Sequence, residues 1–253
     1  MSVLLPELVN YCEDLLSVGL FKDYCPNGLQ VEGKPKVKRI VSGVTASQAL
    51  LDAAVAIKAD LILVHHGYFW KGENEKVIGI KKRRLSTLLK NDISLLAFHL
   101  PLDAHPQLGN NAQLAKKMNW KILSGLDGEL GCAIGMVGEL QEPQTAQQMS
   151  TEFAQVLGRS VQHIQGITRP IKKIAWCTGG AQGYIEKALE EGVDAYVSGE
   201  ISEQTVHIAR EAGIDYFAAG HHATERYGVQ ALGEHLAAHF GIEHDYIEID
   251  NPV

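Results

Sequence analysis

No apolar run in the 253-residue sequence approaches the length of a membrane-spanning helix, and its four cysteines, Cys12, Cys25, Cys132 and Cys177, are scattered without CxxC spacing. The first absence speaks against a helical membrane protein, the second against a disulfide framework or a thiolate zinc site. The first residues, MSVLLPELVNYCEDLL, lack an early Lys or Arg and carry Pro6, Glu7, Glu13 and Asp14. They read as an amphipathic helix and not as a secretion signal, so the expected compartment is the cytoplasm. Positive charge is in deficit: 23 Lys and Arg face 30 Asp and Glu, a formal net charge of −7. That balance argues against nucleic acid as a partner. The dense basic run KKRR, Lys81 to Arg84, has no aromatic or further basic stripe after it and reads as a solvated helix start. Low-complexity linkers are missing too. What remains is a chain that is 45 % hydrophobic and 21 % charged, with ample core for one large domain or two packed ones.

Two segments read alike. VKRIVSGVTASQALLDAAVAIKADLILVHHG runs from Val37 to Gly67, and IKKIAWCTGGAQGYIEKALEEGVDAYVSGE from Ile171 to Glu200. At a constant offset of 134 residues, Lys38 aligns with Lys172, Ile40 with Ile174, Gln48 with Gln182, Ala54 with Ala188 and Asp60 with Asp194. Each segment reads strand, turn, helix, strand. Each then continues into a third strand-like run, ISLLAFHLPLD from Ile93 and IDYFAAGHHATE from Ile214. An ungapped match of this length indicates internal duplication. The expected fold is α/β: two similar, closely packed α/β domains, 1–125 and 126–253, with the functional site in the cleft between them.

The chemistry gathers where strands hand over to loops. LILVHHGYFW, Leu61 to Trp70, ends an aliphatic strand on His65 and His66, and Gly67 lets the backbone turn. In open α/β sheets, ligands bind at such carboxyl ends. Asp103 follows the next strand, and His221 and Glu225, four apart and on one face if that segment is helical, follow the last. All five are imidazoles or carboxylates suited to borderline or hard divalent cations. One tetrahedral zinc needs four ligands. Five, two of them carboxylates, fit a pair of ions that share a bridging carboxylate and acidify water into a nucleophile.

The stretches PNGLQVEG (Pro26 to Gly33), VHHGYFWKGE (Val64 to Glu73), HLPLDAHPQLGNNAQLA (His99 to Ala115) and GHHATERYG (Gly220 to Gly228) resemble the motifs of the Nif-three-like family, whose members are named GTP cyclohydrolase 1 type 2 homologs. The resemblance spans essentially the whole chain. It implies a dinuclear metal site with ligands His65, His66, Asp103, His221 and Glu225, Glu225 bridging. It also implies two related α/β domains and a ring-shaped homohexamer whose metal sites face an internal cavity.

Other residues carry a functional and a structural reading side by side. His99 and His105 flank Asp103 and could support the site, contact substrate or stabilise the loop. His222 would face about 100° away from His221 on a helix, outside the ligand set yet able to shuttle protons. Glu200 holds the repeat position of His66 and is either a general base or a helix cap. CTGGAQG, Cys177 to Gly183, could cradle phosphate but lacks the P-loop Lys-Ser/Thr, and its glycines suit a turn. His235 and His239 read as surface residues of a helix.

The leading functional expectation is a metal-dependent hydrolase of a nucleotide or related heterocycle, with GTP ring opening as the named instance. A small-molecule substrate, a homo-oligomer and two divalent ions per subunit (zinc, iron, manganese or nickel) belong to that reading. Glu200, His222 and His99 are its candidates for proton transfer. Two alternatives share the same residues: a phosphoesterase or amidohydrolase, and a non-catalytic metal-binding or regulatory protein.

Overall fold

Leu61–His66 shows why this chain makes parallel sheets. Its LILVHH run leaves Leu61 to His65 fully buried on both faces, as a central strand covered by helices requires. The computed structural model, which describes residues 1–253, places it in a five-stranded sheet. The order there is Glu243–Tyr246, Arg39–Thr45, Leu61–His66, Ser94–Ala97, Gly28–Val31; the first four are parallel and Gly28–Val31 is antiparallel. Helix Gln48–Ala56, started by the Ser47 hydroxyl accepting the Leu50 amide, buries Leu50, Leu51 and Ala54 against Val41, Ile62 and Val64. Helix Gly79–Lys90 exposes Lys82 and Arg83 of the basic run, keeps Lys81 and Arg84 half-buried, and buries Leu88 in the same cluster.

A six-stranded sheet lies in the other unit, ordered Lys121–Leu126, Gly135–Gln144, Ile171–Cys177, Ala195–Ser198, Asp215–Ala218, Gln162–Ile164. Its middle strands, Ile171–Cys177, Ala195–Ser198 and Asp215–Ala218, are parallel. Along Ile171–Cys177 the side chains alternate. Ile174 and Trp176 join Trp120, Phe153 and Phe217 on one face, while Ala175 and Cys177 join Tyr196, Tyr216 and Ile185 on the other. Helix Ala146–Leu157 on the Trp176 side starts with a reciprocal Thr145–Gln148 capping box and ends on Gly158 in the left-handed conformation.

The repeat is visible in the hydrogen bonds. Asp60 Oδ2 accepts the amides of Lys38 (2.9 Å) and Arg39 (3.3 Å), and Asp194 Oδ2 accepts those of Lys172 and Lys173, both at 2.9 Å. Each carboxylate also pairs with a cation just upstream, Lys34 or Arg169. Both units thus pin the start of one strand to the start of the next by the same device, and each sets an antiparallel edge strand beside its third parallel strand.

The units do not divide the chain at residue 125. One comprises 1–102 with 228–250, the other 103–227 with 251–253. Two pairings explain the difference. Lys121–Leu126 and helix Asn110–Lys117 build onto Gly135–Gln144 and the Trp176 cluster, whereas Glu243–Tyr246 returns to pair with Arg39–Thr45. Asp103 therefore belongs to the second unit with His221 and Glu225, apart from the sequence half that carries His65 and His66. No helix is long and apolar enough to cross a membrane. All four cysteines are free, and burial pushes the Cys12 and Cys25 thiols up to about 12.

Replacing Asp60 or Asp194 by Ala leaves two strand-start amides without their charged acceptor, and each change is expected to destabilise by roughly 1–3 kcal/mol. Urea unfolding of the two variants measures this. Midpoints equal to wild type in both would show that the paired closures contribute nothing.

Candidate metal centre

In the first unit the histidine pair is held by its ring nitrogens. His65, fully buried, has Nδ1 2.9 Å from the carbonyl oxygen of Phe98. A carbonyl can only accept, so Nδ1 carries the proton and Nε2 becomes the basic nitrogen. His66, the last residue of its strand, has Nδ1 3.2 Å from the Thr45 hydroxyl. The two rings lie 4.6 Å apart between centroids. His99 joins them, with its ring 5.1 Å from His65 and 5.8 Å from His66, and the three offer ligand atoms within 4.8 Å of one another. Trp70 stands edge-on to His99 at 5.0 Å, fixed by its indole N–H donating to the Gly67 carbonyl at 3.2 Å.

His99 is positioned by a residue the sequence did not single out. Asp23 Oδ1 lies 2.7 Å from His99 Nδ1, and Oδ2 accepts from Asn27 Nδ2 (2.9 Å) and the Leu100 amide (3.0 Å). Asn27 Oδ1 in turn accepts the His99 amide at 2.7 Å. Burial pushes the Asp23 carboxyl up, but the bonds from His99, Asn27 and Leu100 outweigh it and hold it down at about 2.

In the second unit the carboxylates and the third imidazole gather at the strand ends. His221 opens the short helix His221–Thr224 directly after Gly220, and Glu225 caps that helix. His221 Nδ1 lies 2.7 Å from Glu200 Oε1, and its Nε2 lies 3.1 Å from Glu225 Oε2. Burial pushes the His221 imidazole down, while Glu225 first and Glu200 second override it and raise it to about 9. Glu225 and Asp103 are almost wholly buried. Asp103 Oδ1 accepts from Asn110 Nδ2 (2.9 Å) and the Thr178 hydroxyl (3.3 Å). Asn111 organises the same corner: its Oδ1 accepts the Thr178 amide and its Nδ2 reaches the Asp103 carbonyl.

Glycines make the room. A Cβ on Gly179 would fall 2.0 Å from Glu225 Oε1 and 3.2 Å from His221 Nε2, and one on Gly199 would fall 2.6 Å from the His221 Cα. CTGGAQG thus serves less as a phosphate cradle than as space for carboxylate and imidazole. This donor set fits divalent metal. At His65 the Phe98 carbonyl holds the Nδ1 proton and leaves Nε2 as the donor, whereas at His221 both nitrogens face carboxylates and a cation would stand where the Nε2 proton now meets Glu225.

The other candidates fall as follows. Glu200 does not cap the next helix, whose N-cap is Ser202; it binds His221 instead. His222 is buried, with its amide donating to the Val253 carbonyl at 3.0 Å. His105 Nδ1 accepts the amides of Gln107 and Leu108, the loop-stabilising arrangement. His235 and His239 stack on Tyr11, whose hydroxyl lies 2.6 Å from His235 Nε2, so they pack the first helix to the last.

A family model described as Duf34/NIF3 (NGG1p interacting factor 3) matches residues 3–252. The chain belongs to the Duf34/NIF3 family. A Pseudomonas aeruginosa protein is 57 % identical over 252 residues, covering 100 % of both chains, and one from Vibrio cholerae is 55 % identical, covering 95 % of this chain and 96 % of its own; both are named GTP cyclohydrolase 1 type 2 homolog. Among solved structures, protein ybgI, described as of unknown function, superposes with a TM-score of 0.95 at 46 % identity, covering 99 % of this chain and 100 % of its own. A Thermus thermophilus protein does so with a TM-score of 0.90 at 33 % identity, over 99 % and 100 %. The Duf34/NIF3 resemblance read from the motifs and the two-unit α/β fold both stand.

Within this Duf34/NIF3 chain the Asp23 carboxyl gives a pH signature. Its pKa is depressed on folding, so its stabilisation is complete above the unfolded value near 4 and is lost as pH falls toward about 2. Wild type is expected to lose roughly 2 kcal/mol relative to Asp23→Asn between pH 5 and pH 2. Urea unfolding of both proteins across that range checks this, and a pH-independent difference would remove Asp23 as the charged partner of His99.

Proposed function

We propose that His65, His66, Asp103, His221 and Glu225 together hold two divalent metal ions, with Glu225 bridging, and that the protein is a metal-dependent hydrolase of a nucleotide or related heterocycle. The observation that carries this reading is the commitment of Nδ1 in His65 and in His221 to a fixed acceptor, with Glu225 buried against His221 in its unit. Geometry of that kind aims Nε2 at a metal and discourages an alternative tautomer. Bound divalent ions supply Lewis acidity, which polarises a substrate and lets water ionise near neutral pH.

The chain's own residues do the rest. Glu200 takes the Nδ1 proton of His221 in a hydrogen bond and sets that ring's orientation. Of the candidates for proton transfer, His99 is the best placed, because Asp23 fixes its ring beside the histidine pair. Trp70, pinned through Gly67, offers an aromatic surface on which a heterocycle can stack. The name of the curated relatives supports a GTP-like substrate. On the same reading the protein is a homohexamer, and the exposed Phe69, Ile78, Ile80 and Leu89 supply apolar area for subunit contacts.

His65→Ala and Glu225→Gln are expected to lower bound metal while far-UV dichroism stays unchanged, and Glu225→Gln is expected to deplete both ions. Glu200→Ala, which removes the support of His221, is expected to weaken metal affinity by about 10–100-fold. Elemental analysis after dialysis checks all three, and unchanged metal content in His65→Ala and Glu225→Gln would remove these residues from the site. Any hydrolysis of a nucleotide panel should stop with chelator and return with divalent ion. A metal-loaded protein that turns over nothing would favour the non-catalytic reading.

A further inference from the structure

Arg159 stands apart from the ion pairs of its unit. It follows Gly158, the left-handed end of helix Ala146–Leu157, and reaches into a cavity of about 470 Å³ lined also by Gln162, Gly199, Glu200, Ala218 and Gly220. Its Nε donates a long 3.5 Å bond to the Ser160 carbonyl, and its Nη1 is buried without an acceptor. Glu200 shares the cavity but is engaged elsewhere, with Oε1 on His221 Nδ1 and Oε2 3.4 Å from Gln182 Nε2.

The backbone is shaped to admit this guanidinium. Gly220 has φ +102°, and a Cβ there would fall 2.3 Å from Arg159 Nη1. The glycine immediately before His221 therefore lets a permanent positive charge rest against the chain one residue from a proposed metal ligand. A half-buried arginine with donors left over matches the geometry of an oxyanion, which takes two parallel N–H bonds from the planar fork.

We propose that Arg159 is a specificity-determining residue that binds an oxyanion group of the substrate, a phosphate or a carboxylate, in the cavity beside Glu200 and His221. The inference rests on the metal-dependent reading above for the word substrate, but the anion site itself stands on Arg159 and Gly220. An arginine serving only to balance Glu200 would act on His221 and hence on metal content. An oxyanion subsite would leave metal content untouched.

The test titrates inorganic phosphate and, separately, acetate into metal-loaded wild type, Arg159→Gln and Arg159→Lys by calorimetry. Metal content is measured in parallel, and the titrations are repeated after chelator treatment. Phosphate affinity is expected to fall at least about tenfold in Arg159→Gln and less in Arg159→Lys, with equal metal content in all three. Acetate that binds more tightly than phosphate, with the same dependence on Arg159, assigns the group as a carboxylate; phosphate that binds more tightly than acetate assigns it as a phosphate. Binding of neither anion by wild type, equal affinity for the bound anion in all three proteins, or a loss of metal in Arg159→Gln overturns the proposal. Phosphate binding abolished by chelator yet unchanged in Arg159→Gln overturns it while leaving the metal reading intact. Wild type that holds no metal but binds phosphate through Arg159 does the reverse.

Discussion

The hydrogen bond from His65 Nδ1 to the Phe98 carbonyl is the constraint on which the site in the first unit depends. It joins the end of one parallel strand to the residue just after the next, so the register of Leu61–His66 against Ser94–Ala97 and the tautomer of a buried imidazole are set together. A one-residue slip of Leu61–His66 would turn the histidine to the other face, and one of Ser94–Ala97 would carry the Phe98 carbonyl away; either breaks the bond. The same logic repeats at His221, where the acceptor is a carboxylate, and at His99, where it is Asp23. Three imidazoles thus have Nδ1 committed by the fold, to a carbonyl at His65 and to carboxylates at His99 and His221.

Burial decides how much that assignment matters. A carboxylate as enclosed as Glu225 or Asp103 is costly to keep charged, and hydrogen bonds from Asn110 and Thr178 offset part of the cost for Asp103. A divalent cation held beside them would offset far more. The glycines at 179, 199 and 220 answer the same demand for space: each removes a Cβ where an imidazole, a carboxylate or a guanidinium has to approach backbone.

Much of this was legible in the sequence because it is local or repeated. The strand-to-histidine transitions, the strand-helix-strand repeat at constant offset and the aligned Asp60 and Asp194 all follow from short-range pattern, and the matching amide bonds give the repeat its physical meaning. The division of the chain was not legible. It rests on Glu243–Tyr246 pairing with Arg39–Thr45, about two hundred residues away, and a strand's own residues do not name its partner. Asp23 escaped for a similar reason. Its sequence neighbours resemble a loop, and its partner His99 lies 76 positions on. Glu200 showed itself as the repeat counterpart of His66, but its bond to His221 needed the third strand of the unit to be in place.

X-ray absorption spectroscopy of the purified, metal-loaded protein decides whether these side chains hold paired ions, because it reports the atoms around the metal and not the activity. A dinuclear centre of these residues is expected to give a first shell of nitrogen and oxygen at roughly 2.0–2.2 Å, with imidazole scattering, and a second metal at about 3.5–4 Å. A sulfur shell, or a nitrogen and oxygen shell with no metal neighbour, would contradict a dinuclear centre built from these histidines and carboxylates.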